Sequence, residues 1–264
     1  MRLLAPLDVA VVLTPGVIHL ASVPGYRKVN RVDMGTADKL CAVVLAMDEQ
    51  VRRRGGRVEE ASFILLELGG AFTAAIAVAG GRVVDGVGGT SGPIGARSAG
   101  GLDGEVAFLM GSVTKAMLFQ GGGSSVAGED GLEWTADPRT PRARAAWAAY
   151  LEGAVKAVAA MAVTAPQARE VVLSGRVATT RVREALTQRL AAVMPHLTVR
   201  MLEGLGTGAK HAAQGAALMA DGLAGGHAAP IVERLGIRTA SGTVLDHLVV
   251  ITPEAARRRL GVRS

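Results

Sequence analysis

Two patterns of apolar and polar positions alternate along this chain of 264 residues. Short apolar runs, most of them ending at glycine or a turn, predict buried strands over residues 8–13, 63–68, 74–78, 82–84 and 170–175. Helical spacing predicts helices over residues 37–54, 102–119, 143–163, 176–190, the glycine-rich turn and helix of 204–223, and a short tail helix around 257–259. Strands alternating with helices in this way predict an α/β fold.

Glycine pairs interrupt the first strands. Gly69-Gly70 follows the first run and Gly80-Gly81 follows the second, so the unit reads as strand, turn, strand, tight turn, strand. Glycine allows positive φ and lets the backbone approach a ligand closely, and Thr73 supplies a hydroxyl after the first pair. The pattern favours a phosphate-sized turn at Gly69-Gly70. An ordinary hairpin whose glycines serve only its turns has the same letters.

A second glycine-rich segment follows at residues 86–104. Gly89 and Thr90 lie near its start, and Arg97 is its only cation. Backbone amides of such a loop can form a concave anion site with one fixed positive charge. This composition suits phosphoryl transfer, in which positioning and charge neutralisation supply most of the catalysis.

These segments resemble acetate and butyrate kinases. LELGGAFTAAIAVAGGRVVD is similar to their second phosphate loop and its hairpin, and GTSGPIGARSAGGLDGE is similar to their Gly-rich loop with an Arg-Ser-Gly segment. From about residue 15 to residue 248, the chain is similar to uncharacterised proteins described as predicted butyrate kinases, in the superfamily of actin-like ATPases, sugar kinases and Hsp70.

The resemblance implies an actin-like, ribonuclease H-like fold and an ATP-dependent kinase that phosphorylates a small carboxylate with the help of Mg²⁺. It implies that Gly69, Gly70 and Thr73 hold the β- and γ-phosphates of ATP or ADP, and that Arg97 stabilises the transferring phosphoryl group. The metal ligands are not identified by it. Asp103 is a further candidate acid for the metal, although helix capping is the favoured reading of its position.

A third segment supplies candidates for the nucleoside. The strand ending at Gly175 and the later glycine turn with Gly206 and Gly208 resemble the adenosine-binding motif of the same kinases. A plain β-α-β unit with glycine caps would have the same letters.

The segment before the first long helix is the candidate substrate loop. Its resemblance to an Arg-x-Gly-x-His-Gly-Thr-Ser-His sequence is partial, since Arg31, Gly35 and Thr36 are kept while Met34 and Asp38 replace the histidines. On this resemblance Arg31 would face the acyl phosphate. The alternative is a solvated loop that caps the helix through Thr36.

Two departures concern the first half of such a kinase. Pro15 lies where acetate kinases place a metal-organising aspartate, and no Asp-x-Gly-Thr hairpin precedes Asp8. We therefore expect mainly the C-terminal lobe of the fold, with the N-terminal lobe that carries the first phosphate loop missing or truncated. The predicted organisation is an N-terminal segment with the substrate loop (1–60), a nucleotide-binding lobe (61–250) and a basic tail (251–264).

Composition narrows the function classes. The chain has 29 basic against 23 acidic residues but only 3% aromatic residues, so it lacks a stacking platform and nucleic acid is not the expected partner. No uninterrupted apolar run of about 18 residues appears, which argues against a membrane span. The single cysteine excludes an internal disulfide and favours the cytoplasm.

Two hypotheses remain open. The chain is either a carboxylate kinase or a non-catalytic nucleotide-binding or assembly subunit, acting as a homodimer or with a partner that carries the missing lobe.

Overall fold

The computed structural model describes residues 10–261. Its centre is one five-stranded sheet with the order β3-β2-β1-β4-β5. The strands are β1 (Phe63–Leu68), β2 (Thr73–Ala79), β3 (Arg82–Val87), β4 (Glu170–Ser174) and β5 (Thr198–Met201). β2 runs antiparallel to β1 and β3, whereas β4 is parallel to both β1 and β5. The predicted hairpin meander is confirmed, and so is the predicted strand before Gly175.

Helices cover both faces of this sheet. The ten α-helices of the described residues are α1 (Gly25–Lys28), α2 (Ala37–Arg54), α3 (Gly104–Leu109), α4 (Gly123–Ala127), α5 (Glu133–Ala136), α6 (Pro141–Thr164), α7 (Thr180–Val193), α8 (His211–Leu223), α9 (Ala229–Leu235) and α10 (Pro253–Arg259). Short 3₁₀ helices lie at Val17–His19, Val58–Glu60, Ala116–Phe119 and Ile237–Thr239.

The sheet separates two hydrophobic cores. In β1, Phe63 and Leu65 face the core formed with α2, α8 and α9, whereas Ile64, Leu66 and Leu68 face the core formed with α6 and α7. This two-sided burial is why β1 reads as an apolar run rather than as an alternating pattern. Many of the contacts on the α6 side are made by alanines, which lets that helix pack closely on the sheet.

α6 is long and apolar enough to cross a membrane by length and composition alone. In this fold its buried face, with Tyr150, Leu151, Ala154 and Val158, packs against the sheet. The helix therefore has a structural role as the main cover of one sheet face.

A cluster around Glu170, which we call the Glu170 cluster, joins the far end of α2 to the sheet. The buried carboxylate of Glu170, at the start of β4, pairs with Arg53, Arg54 and Arg200 and accepts a hydrogen bond from Gln50 at 2.8 Å. These contacts lower the pKa of Glu170 to about 2, against the opposing effect of burial. Arg53 and Arg54 are 47% and 44% exposed, as expected for arginines in the last turn of a helix, and the sequence alone could not show that they pair with a buried carboxylate.

Two predicted segments differ from the structure. The helix predicted over residues 102–119 breaks into α3 and a 3₁₀ turn, because Gly111 adopts a left-handed φ of 73° between them. The glycines, prolines and acids of residues 121–141 predict an exposed insertion or lid. This segment instead holds α4 and α5, and the fully buried Trp134 packs edge-on against Tyr150 with ring centroids 5.4 Å apart.

The strand predicted over residues 8–13 is wrong in its described part. Residues 10–13 adopt no regular secondary structure, and Val12 and Leu13 are 61% and 71% exposed. The first two residues of that prediction, and the tail after residue 261, lie outside the described residues.

Candidate functional site

One edge of the sheet collects the chain turns that the sequence singled out. β1 and β4 both end there, because they are parallel with Glu67 paired to Ser174. β2 begins there, because it is antiparallel to β1 with Leu68 paired to Thr73. The glycine turns after β1 and β4 and the loop after β3 therefore meet at the same edge, which is where ligands bind in open α/β sheets.

The turn after β1 is closed by a hydrogen bond from the amide of Gly69 to the carbonyl oxygen of Phe72 at 3.0 Å. A Cβ atom at Gly69 would lie 2.8 Å from that oxygen, so the turn itself needs this glycine. A Cβ atom at Gly70 would approach only Cδ of Arg176, at 3.4 Å. The backbone of Gly70 is thus the part of the turn that remains open to a ligand.

Gly175 locks the second turn against the first. It has φ of 101°, and a Cβ atom there would overlap the carbonyl oxygen of Leu68. The same oxygen accepts a hydrogen bond from the amide of Val177 at 2.9 Å. The two predicted turns are therefore one continuous structure, and Gly175 is required for their contact.

The second glycine-rich loop lies on top of the first turn. The amide of Gly88 donates to the carbonyl oxygen of Asp33 at 3.2 Å, which ties the loop to the N-terminal segment. A Cβ atom at Gly89 would overlap the side chain of Phe72. Thr90 follows in the same turn and is partly exposed. Gly89, one of the predicted cofactor-binding residues, therefore lies against the first turn.

Arg97 is held beside the turn by its backbone. The amides of Arg97 and Ser98 both donate to the carbonyl oxygen of Ala71 at 3.1 Å. The guanidinium is exposed and lines a cavity of about 250 Å³ together with Glu129 and Asp130. The structure thus gives the predicted cation a fixed backbone position next to the glycine turn.

Thr73 does not present its hydroxyl to the turn. Its side chain is completely buried and lies beside the hydroxyl of Tyr150 on α6. Burial raises the pKa of Tyr150 above its ordinary value, and the Thr73 hydroxyl opposes that shift. The structure places this hydroxyl in the core, and its role in phosphate binding stays a prediction.

Glu67 is the functional candidate that the sequence reading missed. A Cβ atom at Gly175 would lie 2.8 Å from its Oε1, so the carboxyl group lies under the meeting point of both turns. Its Oε2 is buried and has no hydrogen-bond partner in the described part of the chain. Burial raises the pKa of Glu67, while the Ser174 hydroxyl and the charge of Lys39 oppose the shift. In the sequence, the only sign of this role was that Glu67 is a single acid inside an otherwise apolar run.

Polar groups of α8 and α2 lie around the same carboxylate. The hydroxyl of Ser174 and Nδ1 of His211, the first residue of α8, are 3.0 Å apart. Burial lowers the pKa of His211. Asp38 and Lys39 in the first turn of α2 also contribute to the electrostatics of Glu67. The edge therefore combines an open turn backbone with a half-buried acid and with a histidine whose pKa is lowered.

Gly206 and Gly208 lie in the loop after β5, which ends at the same edge because β5 is parallel to β4, whereas Asp103 lies at the start of α3. Gly206 and Gly208 are exposed, and a Cβ atom at either would meet no atom within 4 Å, so neither position requires glycine. Their loop is held instead by Gln214, which donates to the carbonyl oxygen of Gly206 at 2.8 Å. Asp103 caps α3 by accepting from the amide of Glu105 at 2.8 Å, so the capping alternative describes what its carboxylate does.

Arg31 lines a separate cavity of about 600 Å³ that shares Ser91 and Gly92 of the glycine-rich loop. Thr36 occupies the N-cap position of α2, as the alternative reading predicts, but its side chain makes no cap hydrogen bond and donates to Asp38 instead. Both residues thus belong to the N-terminal segment that borders the edge.

Comparison with known proteins agrees with this architecture. A family model described as "Protein of unknown function (DUF1464)" matches residues 1–250. No curated protein sequence matches the chain. Among solved structures, the acetate kinase of Porphyromonas gingivalis aligns with a TM-score of 0.53 and 19% identity over 60% of this chain and 43% of its own.

Two further structures give similar values. The acetate kinase of Entamoeba histolytica has a TM-score of 0.50 and 15% identity over 58% of this chain and 44% of its own. A propionate kinase from Francisella tularensis subsp. tularensis SCHU S4 has a TM-score of 0.50 and 16% identity over 58% of this chain and 43% of its own. The α/β fold is therefore that of acetate kinases, an actin-like ATPase fold, and the match spans less than half the length of these relatives.

Proposed function

The chain belongs to the DUF1464 family of proteins of unknown function, and from that starting point we propose that it binds ATP and transfers the γ-phosphoryl group to a carboxylate. The products are ADP and an acyl phosphate. The observation that carries this proposal is the junction of the turns after β1 and β4, where Gly175 fits against Leu68 with the carboxyl group of Glu67 beneath. The acetate kinase fold supports the same reading.

The open backbone at the edge supplies the binding chemistry. The loop at Gly89 lies against the turn that contains Gly70, since a Cβ atom at Gly89 would overlap Phe72. A nucleotide's phosphates accept hydrogen bonds from backbone amides in such turns. Gly175 would face the nucleoside side, as the resemblance implies. The Arg176 side chain, whose Cδ comes within 3.4 Å of a Cβ atom at Gly70, adds a second cation beside the turn.

Mg²⁺ fits this edge through Glu67. The buried Oε2 without a partner is an oxygen ligand of the kind that Mg²⁺ prefers, and Mg²⁺ is usually held by one or two carboxylates plus phosphate oxygens. Among residues 10–261 no group of three or more histidines, cysteines or acids could hold a metal by itself, so nucleotide phosphates would complete the coordination. When bound, the ion would neutralise charge on the phosphates.

Arg97 has the role of neutralising the transferring group. Its backbone is fixed to Ala71 while its guanidinium is exposed, so the cation can meet a phosphoryl group at the turn without reorganising the main chain. Positioning of this kind is the main protein contribution to phosphoryl transfer.

Replacing Arg97 with alanine is expected to lower the rate of phosphoryl transfer by about a thousandfold, the lower range for an arginine that contacts a transferring phosphoryl group. The measurement is acyl phosphate formation from ATP and a carboxylate. Arg82→Ala removes an exposed arginine at the far end of β3 and should leave the rate unchanged. Equal rates for wild type and Arg97→Ala would remove the assigned role.

Replacing Glu67 with glutamine is expected to abolish the effect of Mg²⁺ on ADP affinity and to leave the affinity without Mg²⁺ unchanged, because the amide keeps the size but not the charge of the ligand. Calorimetric titration with ADP, with and without Mg²⁺, measures both. Asp103→Asn is the matched control, since asparagine still caps α3. If Asp103→Asn lost the Mg²⁺ effect and Glu67→Gln kept it, the metal assignment would be wrong.

A non-catalytic nucleotide-binding or assembly subunit is the second candidate. It is favoured by Asp33-Met34-Gly35-Thr36, which continues directly into α2 and so does not form a phosphate-holding hairpin. Phe108 and Leu109 of α3 are also 78% and 80% exposed, which suits a second copy or a partner that carries a further lobe. ADP binding without any phosphoryl transfer would favour this candidate. The resemblance to butyrate kinases in particular and a cytoplasmic location are also proposals.

A further inference from the structure

A cavity of about 600 Å³ lies between the N-terminal loop, the edge strand β3 and α6. Its lining combines three cations and one carboxylate, that of Asp85, with hydrocarbon. The cations are Arg27, Arg31 and Lys156. The apolar wall includes Val87, Ala157 and Met161.

Two of the three cations already have partners. Arg27 donates to the carbonyl oxygen of Val84 at 2.6 Å and lies 3.9 Å from the carboxylate of Asp85. Lys156 pairs with Glu152 one turn away on α6. Arg31 is exposed, and among residues 10–261 its side chain makes no hydrogen bond or ion pair, although its charge acts on the nearby Asp85 and helps to oppose the rise in the pKa of that carboxyl group. One guanidinium is therefore available to an anionic ligand.

The cavity shares a wall with the candidate nucleotide site. Ser91 and Gly92 line it, and the Ser91 hydroxyl donates to the carbonyl oxygen of Asp33 at 3.2 Å. A Cβ atom at Gly92 would lie 3.2 Å from the carbonyl oxygen of Thr73, which ends the glycine turn. A single loop thus separates a ligand in the cavity from the turn.

We propose that this cavity binds the acceptor acid, and that the acid has an apolar body longer than four carbons. The proposal rests on the proposed phosphotransfer function. Arg31 binds the carboxylate, and the hydrocarbon of the ligand lies along α6 and Val87. The cavity is open to solvent on one side, and its volume of about 600 Å³ is in the range of pockets that hold a drug-sized ligand. Acids of two or three carbons would leave most of the apolar wall uncovered.

The test is a series of unbranched acids, acetate, butyrate, hexanoate and octanoate, titrated into the full 264-residue chain without nucleotide. Affinity is expected to rise about three- to fourfold for each added methylene as apolar wall becomes covered. Arg31→Gln should weaken the binding of every acid in the series by about tenfold. Arg82→Gln, which changes an exposed arginine outside the cavity, should leave these affinities unchanged. Equal affinity for acetate and octanoate, or full affinity in Arg31→Gln, would overturn the proposal.

A second variant tests the apolar wall separately. Ala160 lines the mouth of the cavity at an exposed position of α6, so Ala160→Phe narrows the cavity without disturbing the core. It should weaken the binding of octanoate much more than that of acetate.

A parallel ADP titration separates the two proposals. ADP binding without acid binding would overturn the cavity proposal alone, and acid binding without ADP binding would support the cavity while overturning the phosphotransfer function.

Discussion

Glu170→Gln is expected to lower the free energy of unfolding by about 2–3 kcal/mol. The variant keeps the shape of the side chain but leaves Arg53, Arg54 and Arg200 without their shared carboxylate. Breaking a buried pair costs about 3–5 kcal/mol, and the partial exposure of Arg53 and Arg54, at 47% and 44%, reduces that value. Chemical denaturation measures the difference. Glu184→Gln, at an exposed acid of α7, should change stability by less than about 0.5 kcal/mol.

Because of the same carboxylate, the free energy of unfolding should depend on pH in the acid range. Because its pKa falls from 4.5 to about 2 on folding, its stabilisation is present above pH 4.5 and is lost as the pH falls towards 2. Wild type should lose stability in this window more steeply than Glu170→Gln, so the two curves converge at low pH. If stability fell with pH in the same way in both proteins, or if Glu170→Gln lowered the free energy of unfolding by less than about 1 kcal/mol at neutral pH, the Glu170 cluster would not hold α2 to β4.

Gly70→Val is expected to lower ADP affinity at least about tenfold while leaving the melting temperature unchanged. Gly70 has no left-handed φ, and a Cβ atom there approaches only the flexible Arg176 side chain. The fold therefore accepts the substitution, but the branched side chain would stand where phosphate must approach the backbone. Calorimetry with ADP measures the affinity, and a thermal melt measures the stability.

Gly104→Val is the matched control for this loss. Gly104 also has open space around it, but it begins α3 rather than the turn. Its variant should bind ADP as wild type does. Equal losses in both variants, or full affinity in Gly70→Val, would show that the turn after β1 is not the phosphate site.

The hairpin was predictable because local chemistry determines it. The run that begins at Phe63, the pair Gly69-Gly70 and the tight turn at Gly80-Gly81 each limit the backbone to few conformations. Ala37–Arg54 was predicted with the bounds that the structure shows, because its apolar spacing, N-cap residue and following glycine agree.

Other features depend on contacts that the sequence does not reveal. Trp134 could be placed in the core only once α5 was known to pack on Tyr150. The buried direction of Thr73 follows from its register with Leu68, and the partners of Glu170 come from α2 and β5, far away along the chain. Tertiary neighbours, rather than local propensity, decide these positions.

In the candidate site, Glu67 is the residue that could not be predicted from the sequence. An isolated acid in a strand sequence does not show which way it points. The structure locates its carboxyl group through the close approach of Gly175, where a Cβ atom would lie 2.8 Å from Oε1 of Glu67. The glycines of the edge were found from sequence because turns have local signals, while the acid was missed because its role depends on how two distant turns meet.

Titration of the 264-residue chain with ADP, with and without Mg²⁺, tests the central claim most directly. We predict saturable binding with a dissociation constant of about micromolar order, strengthened by Mg²⁺. No binding at millimolar ADP under either condition would contradict a nucleotide site at this edge of the sheet.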